Sequence, residues 1–182
     1  DEFNQIGLTS VGTQVFSLPI LRHTQSQLLL PDKNRTVDLP PVLLNAISPQ
    51  TIPKEGTVGP LVYVGAGNLA DFNGKQIEGA IVLMDIDSGK NWLNAASLGA
   101  KALIYVDHNA TSRMLFEDKL ELSPLHFPRF RLLESKLREL FGSFEGSPQG
   151  IVEPEVRLTS NTTWQEVQAE NIYGMIEGSD PQ

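Results

Sequence analysis

The pattern of apolar and polar positions changes character near residue 58. Before it, short apolar segments such as "TQVFSLPILRH" and "SQLLLPDKNRTVDLPPVLL" are separated by prolines. No 3.6-residue period survives there, which predicts short strands and loops, with Pro40-Pro41 and "SPQTIPKEG" as extended connectors. After it, "PLVYVG" reads as a strand ended by glycine, and "GAIVLMDI" as a second strand, apolar on both faces and therefore central in a sheet. "NWLNAASLGA" has the spacing of a short helix with Trp92, Ala95, Ala96 and Gly99 on one side, and "KALIYVDH" follows at once as a third strand. "HFPRFRLL" predicts a fourth strand, and "LESKLRELFGS" an amphipathic helix with Leu133, Leu137, Leu140 and Phe141 inward. The tail, "GIVEPEVRLTSNTTWQEVQAENIYGMIEG", alternates like two more strands joined by a turn around Asn161. No internal repeat is visible.

Composition narrows the function classes. The chain has 182 residues, enough for one ordinary domain or a compact domain with flanking strands. Its 40% hydrophobic content is compatible with a packed core. The net charge is -8 with signs interspersed, which argues against a nucleic-acid partner, because binding phosphates needs a basic face. There is no cysteine, so disulfides, thiol nucleophiles and cysteine metal sites are excluded together. No window approaches the roughly 18 apolar residues of a membrane span. The sequence opens on Asp1 and closes just after a strand-like segment, and both ends read as cuts in a longer polypeptide.

One stretch invites a cofactor reading. Gly65-Ala66-Gly67 follows an apolar run, and Asp85 closes the next one, which is the outline of a dinucleotide-binding unit. Such a unit needs a helix of three turns or more behind its glycines to hold the pyrophosphate. Between Gly67 and the next strand lies "NLADFNGKQIEG", broken by Asn73-Gly74, so that only about one helical turn fits. A small dinucleotide-dependent enzyme is thus the weakest of three readings.

The same stretch supports a better one. Asp71-Phe72, Gly74, Ile77, Gly79, Ile81-Val82-Leu83, Asn94-Ala95, Gly99-Ala100 and residues 102–105 resemble the protease-associated domain, over roughly residues 57–142. "VQAENIYGMIEGSDP" is similar to the strand that opens the catalytic domain of zinc aminopeptidases and glutamate-carboxypeptidase-like enzymes. The resemblance implies an α/β (α+β) fold: a β-sandwich or open β-barrel-like sheet flanked by two or three short helices. It divides the chain into leading strands and connectors of a parent peptidase (1–56), the protease-associated domain (57–148) and return strands (149–182). It implies a non-catalytic module of a secreted or envelope metallopeptidase, with zinc held by an absent catalytic domain of the same chain and with peptide or protein substrates. A stand-alone peptide-binding module is the alternative. Packing explains the motif residues: Ala95, Ala96 and Ala100 let the helix lie close on the sheet, with Ile81, Leu83, Ile104 and Val106 expected beneath it.

Candidate chemistry is sparse. The three histidines, His23, His108 and His126, show none of the close spacings of zinc motifs. His126, beside Phe127 and Pro128, reads as a packed or hydrogen-bonded strand residue. Asp85 and Asp87 share a side if the strand runs that far, giving either a weak divalent-cation site or a solvated loop that caps the next helix. A calcium loop needs a third ligand that Ser88-Gly89 does not supply. In glutamate-carboxypeptidase-like relatives an arginine near this place helps line the substrate pocket; Asp85 stands there instead. Trp92 either packs inward or offers a platform to a peptide. Arg129 and Arg131 alternate on one side of their strand, where they can meet a partner's carboxylates. No Gly-x-Ser-x-Gly elbow supports nucleophilic catalysis. Asn34, Asn109 and Asn161 head glycosylation sequons.

Overall fold

The computed structural model describes residues 2–42, 50–108, 125–176 and 178; the sequon at Asn109 lies outside them. The helices are α1 (Glu2–Gln5), α2 (Trp92–Ser97) and α3 (Glu134–Phe141). The strands are β1 (Thr9–Leu30), β2 (Arg35–Asp38), β3 (Thr57–Tyr63), β4 (Ile81–Asp85), β5 (Ala102–Asp107), β6 (Arg129–Leu133) and β7 (Ile151–Met175). They form one sheet in the order β2-β1-β7-β3-β4-β5-β6. Neighbours from β3 to β6 are parallel, whereas β3 pairs β7 and β1 pairs β2 antiparallel. Two compact units result: residues 23–163, and the two chain ends, up to Arg22 and from Trp164 onward.

The larger unit is a sheet covered on both faces. Ile81, Val82, Leu83 and Met84 of β4 are all fully buried, as are Leu103, Ile104 and Tyr105 of β5. A strand packed on both sides has no polar face to alternate with, which is why these segments read as unbroken apolar runs. Ile81, Leu83, Ile104 and Val106 share one layer with Leu137 and Leu140 of α3 and with Phe144. Val82, Met84, Leu103 and Tyr105 share the other with Ala95 of α2, Trp92 and Phe127. The residues expected beneath α2 are therefore on the opposite face. Every position is apolar, so the pattern carried no information about which alternate set faces which helix.

The sheet curls so that its edges meet. After β2 the chain crosses to β6, where the Arg131 N–H donates to the Pro40 carbonyl (3.0 Å) and the Val42 N–H to the Arg129 carbonyl (2.9 Å). Sheet core, curl and short helices agree with the open-barrel-like architecture expected. Helix α3 buries Leu137 and Leu140 and half-buries Phe141, and it ends at Gly142 with φ +69°. Leu133, expected inward, is 45% exposed, because it is the last residue of β6 and not part of the helix.

The chain ends differ most from expectation. In place of short strands, β1 is a continuous strand of 22 residues. Its proline, Pro19, is tolerated because β2 covers only residues 27–30, which among the described residues leaves the N-terminal half of β1 with an open edge. In place of a turn at Asn161, β7 runs unbroken for 25 residues. Thr24 Oγ1 donates to the Asn161 carbonyl (3.1 Å) and Ser26 Oγ to Ser160 Oγ (2.7 Å), so pairing with β1 holds the asparagine extended. The smaller unit is a two-stranded ribbon from these strands. Thr9 Oγ1 donates to the Met175 carbonyl (3.1 Å), Gln168 Nε2 to Ser17 Oγ (3.0 Å) and Arg22 Nε to Gln165 Oε1 (2.8 Å).

Candidate functional site

The glycine turn is a packing device. Behind Gly67 comes a 3-10 turn of four residues, Leu69–Phe72, with no longer helix to present a dipole. The Ala66 and Gly67 carbonyls accept from Asn91 Nδ2 (2.9 Å) and Asn94 Nδ2 (3.0 Å), tying the loop to α2. A Cβ on Gly67 would fall 2.4 Å from Met84 Cε, so the loop lies on the core where a pyrophosphate would have to enter. The dinucleotide reading finds no support in this turn.

Titratable groups gather instead where the parallel strands end. Tyr63, Asp85 and Asp107 are the last residues of β3, β4 and β5, and Glu134 opens α3 directly after β6. In open parallel sheets this rim is where ligands meet the protein. Tyr63 Oη donates to Asp85 Oδ1 (2.9 Å). His108, one residue past β5, places Nδ1 2.7 Å from Glu134 Oε2 and Nε2 3.6 Å from Asp85 Oδ1. Arg138 reaches Glu134 (2.6 Å) and also pairs with Glu145. Arg131 binds the buried Asp107 at 3.3 Å.

The electrostatics follow from these contacts. The hydrogen bond to Glu134 raises His108 above its ordinary value, and the nearby Asp85 and Asp87 charges add to it. The same hydrogen bond, with one from Arg138, lowers Glu134. Burial first, and then the Asp85 carboxylate, push the Tyr63 hydroxyl far up, so it stays a donor. The network holds charge in place.

Other predicted residues are placed differently. Trp92 is 1% exposed, stacked on Phe127 (6.2 Å, 13°), with the Arg129 guanidinium 3.9 Å above its ring. Arg129 is itself 4% exposed. Trp92 thus takes the inward-packed of its two readings, and β6 turns Arg129 into the layer beneath α2 rather than to the surface. Asp85 and Arg131 stay half-exposed. Arg131 lines a cleft of about 650 Å³ between β2 and β6 with Thr36, Asp38, Lys136 and Glu139. His126 is exposed in the loop before β6 rather than packed. The Ser–His contact that sequence spacing did not reveal, His23 Nε2 to Ser26 Oγ (2.7 Å), is structural. Ser26 is 3% exposed and its hydroxyl donates to Ser160.

Zinc does not fit these residues. The three histidines sit apart, at the start of the larger unit, the strand-end rim and the loop before β6. Among the described residues no three His, Asp or Glu side chains converge as metal ligands. Asp85 is engaged by Tyr63 and His108, and Asp87 is exposed.

Residues 57–130 match the family model of the PA domain. This segment is a PA domain. It holds β3 to β5, α2, the glycine turn and the start of β6, and so carries Tyr63, Asp85 and His108 of the rim. No curated protein matches the sequence. Among solved structures, a zinc aminopeptidase from Bacillus subtilis is similar over 99% of this chain and 40% of its own, with TM-score 0.60 and 19% identity. An aminopeptidase from Aneurinibacillus sp. strain AM-1 is similar over 95% and 39%, with TM-score 0.55 and 17% identity. A peptidase M28 precursor from Shewanella amazonensis SB2B is similar over 94% and 42%, with TM-score 0.51 and 15% identity. At these identities the likeness is one of fold. The chain spans about 40% of the length of these neighbours. Among the described residues no helix is long and apolar enough to cross a membrane.

Proposed function

We propose that the chain is the non-catalytic, PA-containing portion of a secreted or envelope zinc peptidase of the aminopeptidase type. Residues 57–148 would be the module, and 1–56 and 149–182 its connections to the hydrolase. One observation carries the reading: nearly the whole chain superposes on a minor part of a zinc aminopeptidase, 99% of this chain on 40% of that one. The hydrolase portion supplies the zinc and the chemistry, and the PA domain covers the approach to it and influences which peptides enter. The partner within the same polypeptide is met by the ribbon. Val15, Leu18, Trp164, Ile172, Tyr173 and Met175 are each between 44% and 57% exposed there, more large apolar surface than a two-stranded ribbon keeps in water without a cover.

The test is an assay of residues 1–182 with added zinc on aminoacyl chromogenic substrates and short peptides. The expected result is no zinc-dependent hydrolysis; turnover by these residues alone contradicts the proposal. A second reading, an extended-peptide binder, is favoured by the cleft between β2 and β6. Titration with a library of labelled peptides separates the two, since the second reading requires saturable binding that Arg131→Ala and Lys136→Ala weaken.

A further inference from the structure

His108 is the junction of the strand-end rim. It lies one residue past β5 and meets Asp85 at the end of β4 and Glu134 in the first turn of α3, with the Asp87 charge acting from just beyond β4. Tyr63 of β3 reaches the ring through Asp85, while Arg138 and, behind it, Glu145 reach it through Glu134. Asp107 and Arg131 form a separate pair beside it. Two carboxylates from two elements, Asp85 and Glu134, thus contact one imidazole, the Asp87 charge acts on it from further off, and Arg138 opposes them on α3. No side-chain hydrogen bond caps α3 at its start, where Leu133 is the N-cap residue, and the contact from His108 adds a charged tie between this first turn and the end of β5, beside the packing of Leu137 and Leu140. The same turn supplies Ser135 and Lys136 to the wall of the cleft beside β6.

We propose that His108 is a proton-sensitive clamp, which in its imidazolium form ties the first turn of α3 to the ends of β4 and β5 and thereby sets the wall of the β2–β6 cleft. The imidazolium donates from Nδ1 to Glu134 and lies against Asp85; the neutral ring keeps at most one charge-assisted contact. Folding raises His108 above its ordinary 6.5, so its contribution is complete below 6.5 and disappears as pH rises through the folded value. Folding lowers Glu134 below its ordinary 4.5, so its contribution is complete above 4.5 and disappears as pH falls through the folded value. The clamp is therefore whole between these two ordinary values.

The experiment is a proton NMR titration of the imidazoles in the full 182-residue chain, assigned with His23→Gln and His126→Gln. The wild-type His108 midpoint is expected above 6.5 and is expected to fall back toward 6.5 in Glu134→Gln. The Ser135 and Lys136 amides should shift with the same midpoint. A wild-type midpoint at or below 6.5, one that ignores Glu134→Gln, or α3 amides that do not follow it, overturns the clamp. As a second readout, the wild-type Tm should exceed that of His108→Gln at about pH 5.5, with the gap closing by about pH 9. A gap that stays constant with pH contradicts the proposal, and should the variant fail to fold, the wild-type titration decides alone.

Discussion

Strand β4 and the ribbon are both rich in apolar residues, but the fold uses them in opposite ways. Ile81 to Met84 are 0% exposed between two helix-covered layers, whereas Ile172, Tyr173 and Met175 are more than half exposed. Hydrophobicity in β4 is consumed in folding this chain. In the ribbon much of it stays exposed, which is the surface that the proposed function gives to the rest of the polypeptide. The matched segment, residues 57–130, folds around its own parallel strands, whereas the ribbon lies outside it and would serve the proposed partner. The contrast can be broken or sharpened by substitution.

The largest effect is expected from Leu83→Ala against Ile172→Ser. The first opens a cavity in a core position with 0% exposure and should cost about 2–5 kcal/mol in chemical denaturation. The second should stay within about 0.5 kcal/mol. Similar costs for the two would erase the contrast. Glycines give a finer version. A Cβ on Gly59 falls 2.3 Å from the Gly79 carbonyl oxygen, a backbone atom that cannot swing away, so Gly59→Ala should cost about 1–3 kcal/mol. In the ribbon, a Cβ on Gly12 falls 2.6 Å from Tyr173 Oη, the far end of a side chain that is 54% exposed. That ring can rotate into water, so Gly12→Ala should cost well under half as much. Equal melting shifts for the two alanines would mean that the ribbon is packed as tightly as the core.

A smaller effect is expected at the antiparallel junction. Lys33 Nζ lies 2.6 Å from Glu153 Oε2, whose side chain is 8% exposed, and also sits 4.2 Å from the Phe141 ring centroid. Lys33→Met keeps the aliphatic stem and leaves the carboxylate without its cation, for an expected loss of about 1–2 kcal/mol. Exposed pairs such as Lys136 with Glu139 should be near neutral when Lys136 is replaced by Met.

The sequence revealed most where burial leaves a local signature. The apolar runs at β4 and β5 and the 3–4 spacing of Leu137 and Leu140 located the core elements, because each is dictated by its own immediate packing. The glycine turn was also legible, since Asn73-Gly74 left no room for a long helix. What failed was non-local. Nothing near Asn161 announces that β1 lies alongside to hold it extended, and nothing around Pro19 announces an open edge. The two faces of β4 are equally apolar, so its own residues do not say which side meets α2. The rim was hidden for the same reason: His108 and Glu134 are 26 residues apart and meet only because β5 and β6 end side by side. The one available clue was that Asp85, Asp107 and His108 all close apolar runs.

The measurement that tests the central claim most directly is amide hydrogen exchange on residues 1–182 alone. Protection across β4 and β5 should approach that of global unfolding, while residues 9–22 and 164–175 should exchange orders of magnitude faster. Equal protection in the two regions would show that the ribbon is a finished part of this chain's own core, and the account of it as a surface kept for a partner would be wrong.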